Sequence, residues 1–437
     1  MTYVAATCRS DLVRRRIRLV KCAMLVCAVI GAPRIVRAQA PSAGAASREQ
    51  TGGSTVPLTG GWQDGFVLQT PDQGFRLQFG MVSQTDGRFL VDDPGDAVTD
   101  TLVLRKLRPT FTGRVARFFE FKFMPDFGNG AVVVQDAYVD LRFSNAFRFR
   151  AGKDKTPVGL ELLQGDAFLW FPERSLASSL VPNRDVGLQV QGDVLGDTLF
   201  YAAGVFNGIP DGTSSTADVD VNGSKDVAGR FVLQPFRSGS NAAKGLGISV
   251  GGSSGRQRGP LPSFRTSVGQ TYFSYDRNAA AAGFRHRLSP SFFYFYRTVG
   301  VFGEYMRSSQ PVALGARVVD VTNHAWEMSG SVFLTGEPAT DRGVRPIRPF
   351  DPQSGHWGAL QVLARYTELA VDRRAFETGV AATGASRTAK SFTIAVNWFP
   401  VSYIKYYVTF ERTVFGSDIS TPRHAENAIL FRLQLNF

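Results

Sequence analysis

Alternation with a period of two runs through most of the chain after residue 74 and leaves little room for helix. In GFRLQFGM (74–81), Phe75, Leu77, Phe79 and Met81 alternate with Arg76, Gln78 and Gly80; in FFEFKFM (118–124), Phe119, Phe121 and Phe123 alternate with Glu120 and Lys122. The same beat returns at 133–143, 185–192, 198–206, 227–236, 391–399, 403–413 and 428–437. Successive side chains of a strand point to opposite faces, so each segment predicts a strand with one apolar and one polar side. No segment carries a long helical repeat, and the fold class expected is all-β.

Soluble sandwiches also alternate, so the environment rests on further details. Many segments run about ten residues, the length a tilted strand needs to cross a bilayer. Aromatic residues gather at segment ends, as in FFYFY (292–296), Trp398 with Phe399, and Tyr403 with Tyr406 and Tyr407, which suits the girdles of a membrane barrel. Lys122, Asp136, Asp140 and Arg432 sit mid-segment opposite the apolar residues, where a water-filled lumen would accept them. In the last segment Ile429, Phe431, Leu433, Leu435 and Phe437 share one face, with Leu430, Arg432, Gln434 and Asn436 on the other. A terminal strand ending in phenylalanine is similar to the signal that outer-membrane barrels present to their insertion machinery, which assigns Phe431, Leu433, Leu435 and Phe437 to assembly.

The first forty residues are read as a secretory signal. A basic region holding Arg14, Arg15, Arg16, Arg18 and Lys21 precedes the apolar run at 22–32, and Ala38-Gln39-Ala40 supplies a small-x-small cleavage site. The apolar run is too short to span a bilayer as a helix. The signal holds eight of the 49 basic and one of the 37 acidic residues, so the mature chain carries 41 against 36 and its net charge falls from +12 to +5. Basicity is thus largely a targeting feature, and a nucleic-acid partner is not expected. Cys8, Cys22 and Cys27 all lie in this segment. The mature chain therefore has no disulfide, thiol nucleophile or cysteine metal site. Val26, standing before Cys27, does not fit a lipoprotein signal. Residues 41–64, rich in Ala, Ser, Gly and Thr, read as a flexible leader, and 65–437 as the barrel domain.

Short breaks at Ser144-Asn145, Gly196-Asp197, Ser289-Pro290 and Pro400-Val401, against longer polar stretches at 208–226, 251–263 and 335–355, suggest short turns on one rim and long loops on the other. Fifteen to eighteen crossings can be counted, and an even number, sixteen, places both termini on one side. The stretch GKDKTPVGLE (152–161) interrupts the pattern. Pro157 and Gly159 stop a strand, and no alternation resumes until Val186. The intervening LLQGDAFLWFP (162–172) is too apolar for a solvated external loop, so Phe168, Trp170 and Phe171 need a wall to pack on, which the inside of a barrel provides.

The runs RKLRPTFTGRV (105–115), FKFMPDFG (121–128), QDAYVDLRF (135–143), GKDKTPVGLE, ERSLASSLVPNRDVGLQ (173–189) and GVFNG (204–208), with RPFDPQSGHWGALQVLARYTEL (348–369) and NWFP (397–400), closely resemble the phosphate-selective porin O and P family. The resemblance spans most of 60–437 and weakens between 235 and 330. It implies a sixteen-stranded transmembrane antiparallel β-barrel of a Gram-negative outer membrane, assembled as a homotrimer, with a constriction loop folded inward after the elbow. The partners implied are outer-membrane lipid, small anionic solutes and the barrel insertion machinery; no cofactor is expected.

Arginine suits anion conduction because its planar fork donates paired hydrogen bonds. By the period-two count Arg76, Arg108, Arg148, Arg150, Lys106 and Lys122 share the polar face, Arg105 lies beside them, and Lys153, Lys155, Arg174 and Arg184 lie at or within the loop. In anion-selective relatives an arginine ladder leads to a lysine-lined constriction, so these residues are the anion-contact candidates. The same cations also suit salt bridges with Glu120, Asp136, Asp140, Asp154, Glu161, Asp166, Glu173 and Asp185. Founding phosphate-specific members carry a lysine just after the GLE triplet, whereas 162–172 here has no Lys or Arg and carries Asp166. That departure favours a general or weakly anion-preferring channel over a strict phosphate filter. Two rival classes fare worse: an enzyme, because His286, His324, His356 and His424 are scattered without a motif, and a secreted β-rich binding protein, which would need no membrane.

Overall fold

The computed structural model describes residues 56–91, 100–215, 223–416 and 423–437; the expected signal at 1–40 lies outside them. In chain order the strands are β1 (Thr59–Trp62), β2 (Phe66–Gln69), β3 (Arg76–Val91), β4 (Thr101–Val115), β5 (Phe119–Asp126), β6 (Val133–Arg142), β7 (Arg148–Lys155), β8 (Arg184–Val194), β9 (Leu199–Phe206) and β10 (Asp226–Leu233). They continue with β11 (Leu246–Gly259), β12 (Phe264–Arg265), β13 (Thr271–Phe273), β14 (Ala279–Tyr296), β15 (Val299–Leu314), β16 (Arg317–Phe333), β17 (Ala359–Ala370), β18 (Thr388–Val401), β19 (Ile404–Gly416) and β20 (Glu426–Asn436). Strands β3–β11 and β14–β20 pair with their neighbours in order, all antiparallel, and β20 pairs back onto β3 from Asn427↔Val91 to Asn436↔Val82. The result is a closed barrel of sixteen strands, as expected. Closure removes every sheet edge, which a membrane requires because lipid offers no hydrogen-bond partner. Among the described residues no helix is long and apolar enough to cross a membrane.

The wall inverts the burial of a soluble protein. On β20, Phe431 and Leu433 are 39% and 38% exposed, whereas Arg432 and Gln434 between them are 0% exposed. On β18 and β19, Phe392, Ile394, Val408 and Phe410 face out while Thr393, Asn397, Lys405 and Glu411 are buried inside. Apolar side chains on the outside carry no penalty in hydrocarbon and a large one in water, so the alternation read from the sequence is that of a membrane barrel. Phe431→Arg is accordingly expected to cost about 2–4 kcal/mol, as for a cation on the lipid face near mid-membrane, measurable by denaturant unfolding of the barrel in lipid vesicles.

Several sequence boundaries shift. Residues 59–62, inside the expected leader, form β1 and pair with β2 as a small hairpin that continues onto β3. Ser289-Pro290 is not a turn but lies within β14, where Ser289 faces the lumen and donates to Glu304. The GGSSGRQRG part of the expected 251–263 loop lies in β11: its small residues let the inner loop press on the wall, a Cβ on Gly251 falling 3.4 Å from the Pro157 carbonyl oxygen. The stretch 335–355 does not join the long-loop rim; it connects β16 to β17 on the rim of the short turns, the periplasmic one in such barrels.

The lumen is partly filled. From the long-loop rim, the β12–β13 hairpin and the β17–β18 connection with its short helix α1 (Arg373–Glu377) pack Phe264, Tyr272, Phe273, Ala375 and Val380 against Met306, Val321 and Leu369 of the wall. From the other rim, the β16–β17 connection brings Ala339 and Val344 against Phe333, Ala359 and Phe399. Open space is thereby pushed towards the β3–β10 side and the outer mouth.

Candidate functional site

The connection between β7 and β8 crosses the barrel interior, and GKDKTPVGLE explains how. Gly152 (φ 129°) and Gly159 (φ 86°) hold positive φ, where a Cβ would meet the Ala137 carbonyl oxygen at 2.2 Å and Val181 Cγ1 at 2.9 Å; only glycine fits there. Beyond the elbow the backbone N–H groups of Leu160 and Glu161 donate to Glu304 of β15 (2.8 and 3.1 Å). Glu161 in turn receives Ser175 N, Ser175 Oγ and Ser178 Oγ, bracing the 3-10 turn Leu176–Leu180. The far wall then reads the loop's carbonyls: Asn397 donates to Trp170 O, Lys405 and Tyr407 to Leu169 O, Gln434 to Ala167 O, and Arg432 to Pro172 O.

Of the three aromatic residues predicted to need a wall, Trp170 and Phe171 are 4% and 1% exposed. Trp170 lies 4.9 Å from the Phe302 ring, and the Arg365 guanidinium sits 4.4 Å over Phe171. Phe168 is 36% exposed and instead lines open space. Of the residues the sequence assigns to assembly, Phe431 and Leu433 face out, and the Phe437 ring packs among Trp62, Phe66 and Phe79 at the short-turn rim.

The loop separates two chambers. The outer one, of about 300 Å³, is bounded by Arg174, Arg265 and Arg365 against Glu173, Asp211 and Glu411, with ten Ser, Thr and Asn residues completing its polar lining. Its formal charge is balanced. The inner one, of about 460 Å³, lies against β3–β10 and is lined by Arg108, Lys122, Arg150, Lys155, Arg184 and Arg230 against Asp136, Asp154 and Asp166. Six cations face three carboxylates. Adding the ion-pair partners just behind the lining, Lys106 and Arg174 with Asp126 and Asp140, makes it eight against five, the same excess of three.

The candidate cations are thus sorted by place. Arg76 bonds Gln63 and Gln78, and Arg148 pairs with Asp193, both near the short-turn rim. Arg108 pairs with Asp126 and Asp166, Lys122 with Asp136 (2.7 Å), Arg150 with Asp140 and Asp154, and Arg184 with Asp136 (2.6 Å). Lys106 and Arg174 hold Asp166 from behind. Asp166, the charged residue of the 162–172 segment, is therefore an anchor for the cations around it. Arg105 is the extra residue where β3–β4 pairing shifts between Gln84 and Thr85; the bulge turns it towards Glu173 (2.8 Å), inward like Lys106. Lys153 donates to Ser215 O on the connection after β9, away from the chamber that Lys155 lines.

Two chamber cations have no carboxylate partner among the described residues. Lys155 Nζ donates to Gln164 O (2.6 Å), and Arg230 Nε to Ser249 Oγ (2.9 Å). Arg230 was not among the sequence candidates, although its parity in VAGRFVL, opposite Val227 and Phe231, marks it as inward. Arg285 and Arg287, which flank His286, are buried in β14. They hold a second inward segment, Arg287 pairing with Asp211 (2.6 Å) and both arginines donating to Ile209 O. The histidines stay apart: His286 on β14 contacts Ser254, His324 on β16 contacts Tyr305, His356 lies on the β16–β17 connection, and His424 precedes β20.

A closed membrane barrel of sixteen strands, with a polar lumen narrowed by an inward loop, is an outer-membrane diffusion channel, a porin. Residues 75–437 match the family described as phosphate-selective porin O and P. The chain belongs to that family, and its place is the outer membrane of a Gram-negative bacterium. Solved structures share the fold at low identity. The trimer form of OmpT from Vibrio cholerae is 12% identical, with 83% of this chain and 100% of that one covered and a TM-score of 0.51. The outer membrane channel DcaP of Acinetobacter baumannii is 12% identical (84% and 99% covered, TM-score 0.53). An anion-selective porin from Comamonas acidovorans is 11% identical (83% and 100% covered, TM-score 0.51). No curated protein matches the chain.

Proposed function

We propose that this porin passes small hydrophilic solutes with a moderate preference for anions and without a strict phosphate filter. The observation that carries this reading is the inner chamber's excess of three positive charges, with Lys155 and Arg230 free of carboxylate partners among the described residues. Charges in a narrow, low-dielectric lumen focus their field, so a small excess of one sign biases which ion enters. The moderation follows from pairing: four of the six lining cations are tied to aspartates. Planar-bilayer recording in a potassium chloride gradient should give a reversal potential on the anion side. A cation-selective pore would refute the reading.

A homotrimer is the assembly that fits. Strands β5, β7, β9 and β10 have eight residues each, below the roughly nine to eleven needed to cross a bilayer. A neighbouring copy against this low side would cover what the wall leaves short, and the OmpT structure of similar fold is a trimer.

A further inference from the structure

We propose that the inner chamber recognises organic anions that carry a carboxylate on an aromatic body, in preference to inorganic phosphate. The inference rests on the anion-preferring reading above and names the solute class. Its basis is the mixed character of the lining. Beside the cations stand Val82, Met124, Tyr138, Leu163, Phe168 and Phe200, whereas the outer chamber offers only Leu162 and Leu176 among hydroxyl and charged side chains. Inorganic phosphate has no apolar surface to bury, so an apolar wall gives it nothing and displaces water it needs. A ring with one carboxylate can use both halves of the lining.

The two halves are arranged for this. Phe168 comes from the inserted loop, which leaves it 36% exposed while neighbouring Trp170 and Phe171 are buried. Phe200 reaches the same space from β9. Arg150 lies 3.8 Å over the Tyr138 ring and is held by Asp140 and Asp154, so that ring is occupied and that cation neutralised. Charge recognition is left to Lys155 on β7 and Arg230 on β10. Arg230 uses Nε on Ser249, and its Nη1 and Nη2 make no hydrogen bond to a described residue; a carboxylate matches that pair of donors in bidentate fashion. The volume of about 460 Å³ falls within the range of small-molecule sites.

The test is block of chloride current through the reconstituted full-length channel by benzoate, acetate and inorganic phosphate in turn. Acetate shares benzoate's charged group without the ring, and phosphate brings charge alone. Half-block by benzoate is expected at a concentration about tenfold below that of either. Phe200→Ser should shrink the benzoate-to-acetate ratio towards one, and Arg230→Gln should weaken block by both carboxylates. If the wild-type channel is anion-selective but benzoate blocks no better than acetate or phosphate, the inference falls and the anion preference stands. An unchanged ratio in a folded, heat-modifiable Phe200→Ser channel also overturns it. A cation-selective wild-type channel removes the reading beneath both.

Discussion

Exchanging Lys155 and Arg230 for glutamate together reverses the ion selectivity of the pore. Each exchange subtracts two charges from the inner lining, so the pair takes it from an excess of three positive to an excess of one negative. Both side chains lie on the lumen side with a neutral acceptor as protein partner, Gln164 O and Ser249 Oγ. Their replacement therefore strands no buried carboxylate, unlike loss of Arg108, which takes from Asp126 its cation, or of Arg184, which leaves the buried Asp136 with Lys122 alone. The measurement is the reversal potential in a salt gradient. Screening over about 10 Å at 0.1 M ionic strength makes the sign change clearest in dilute salt. A double variant that folds and still favours anions would place the selectivity outside this chamber. The corresponding single exchange to glutamine removes one charge and should only lower the preference.

How far the sequence reveals this site depends on the range of the interactions that build it. Parity along a strand is local, so the lumen positions of Arg108, Lys122, Arg150 and Arg432 are legible directly, and the same parity marks Arg230. The elbow was legible too, because Pro157 fixes its own φ and Gly159 permits a positive one, both local effects. Pairing is not local. Asp166 meets Lys106, Arg108 and Arg174 only because the loop crosses the barrel, so a residue read as weakening the filter is the centre of its charge network. The same holds for Arg105, whose inward turn depends on a bulge set by the β3–β4 register, and for Lys153 and Lys155, which look alike in the motif and part company in space. The stretch 335–355 has the composition of a solvated loop, yet Thr340 O receives Trp170 Nε1 inside the barrel. Polarity marked it as irregular, but the side of the membrane is set by strand count.

Glu304→Ala should open the constriction. This one buried carboxylate on β15 receives Leu160 N, Glu161 N and Ser289 Oγ. Hydrogen bonds to a charged acceptor contribute about 1.5–3 kcal/mol each, and a donor left buried without a partner costs a further amount of similar size. With two backbone donors orphaned at the start of the inserted segment, the favourable response is for residues 156–165 to swing from the wall and find water. The barrel itself should survive, since the β14–β15 and β15–β16 ladders do not depend on this side chain. The expected result is a larger single-channel conductance with heat-modifiable migration retained. Glu304→Gln, which keeps one carbonyl acceptor, should fall between the variant and the native channel. The remainder of the loop is tied to the opposite wall through Asn397, Lys405, Gln434 and Arg432, so the gain should stop short of that seen when the loop is deleted. Unchanged conductance in a folded Glu304→Ala channel would mean that those far-wall bonds alone hold the constriction.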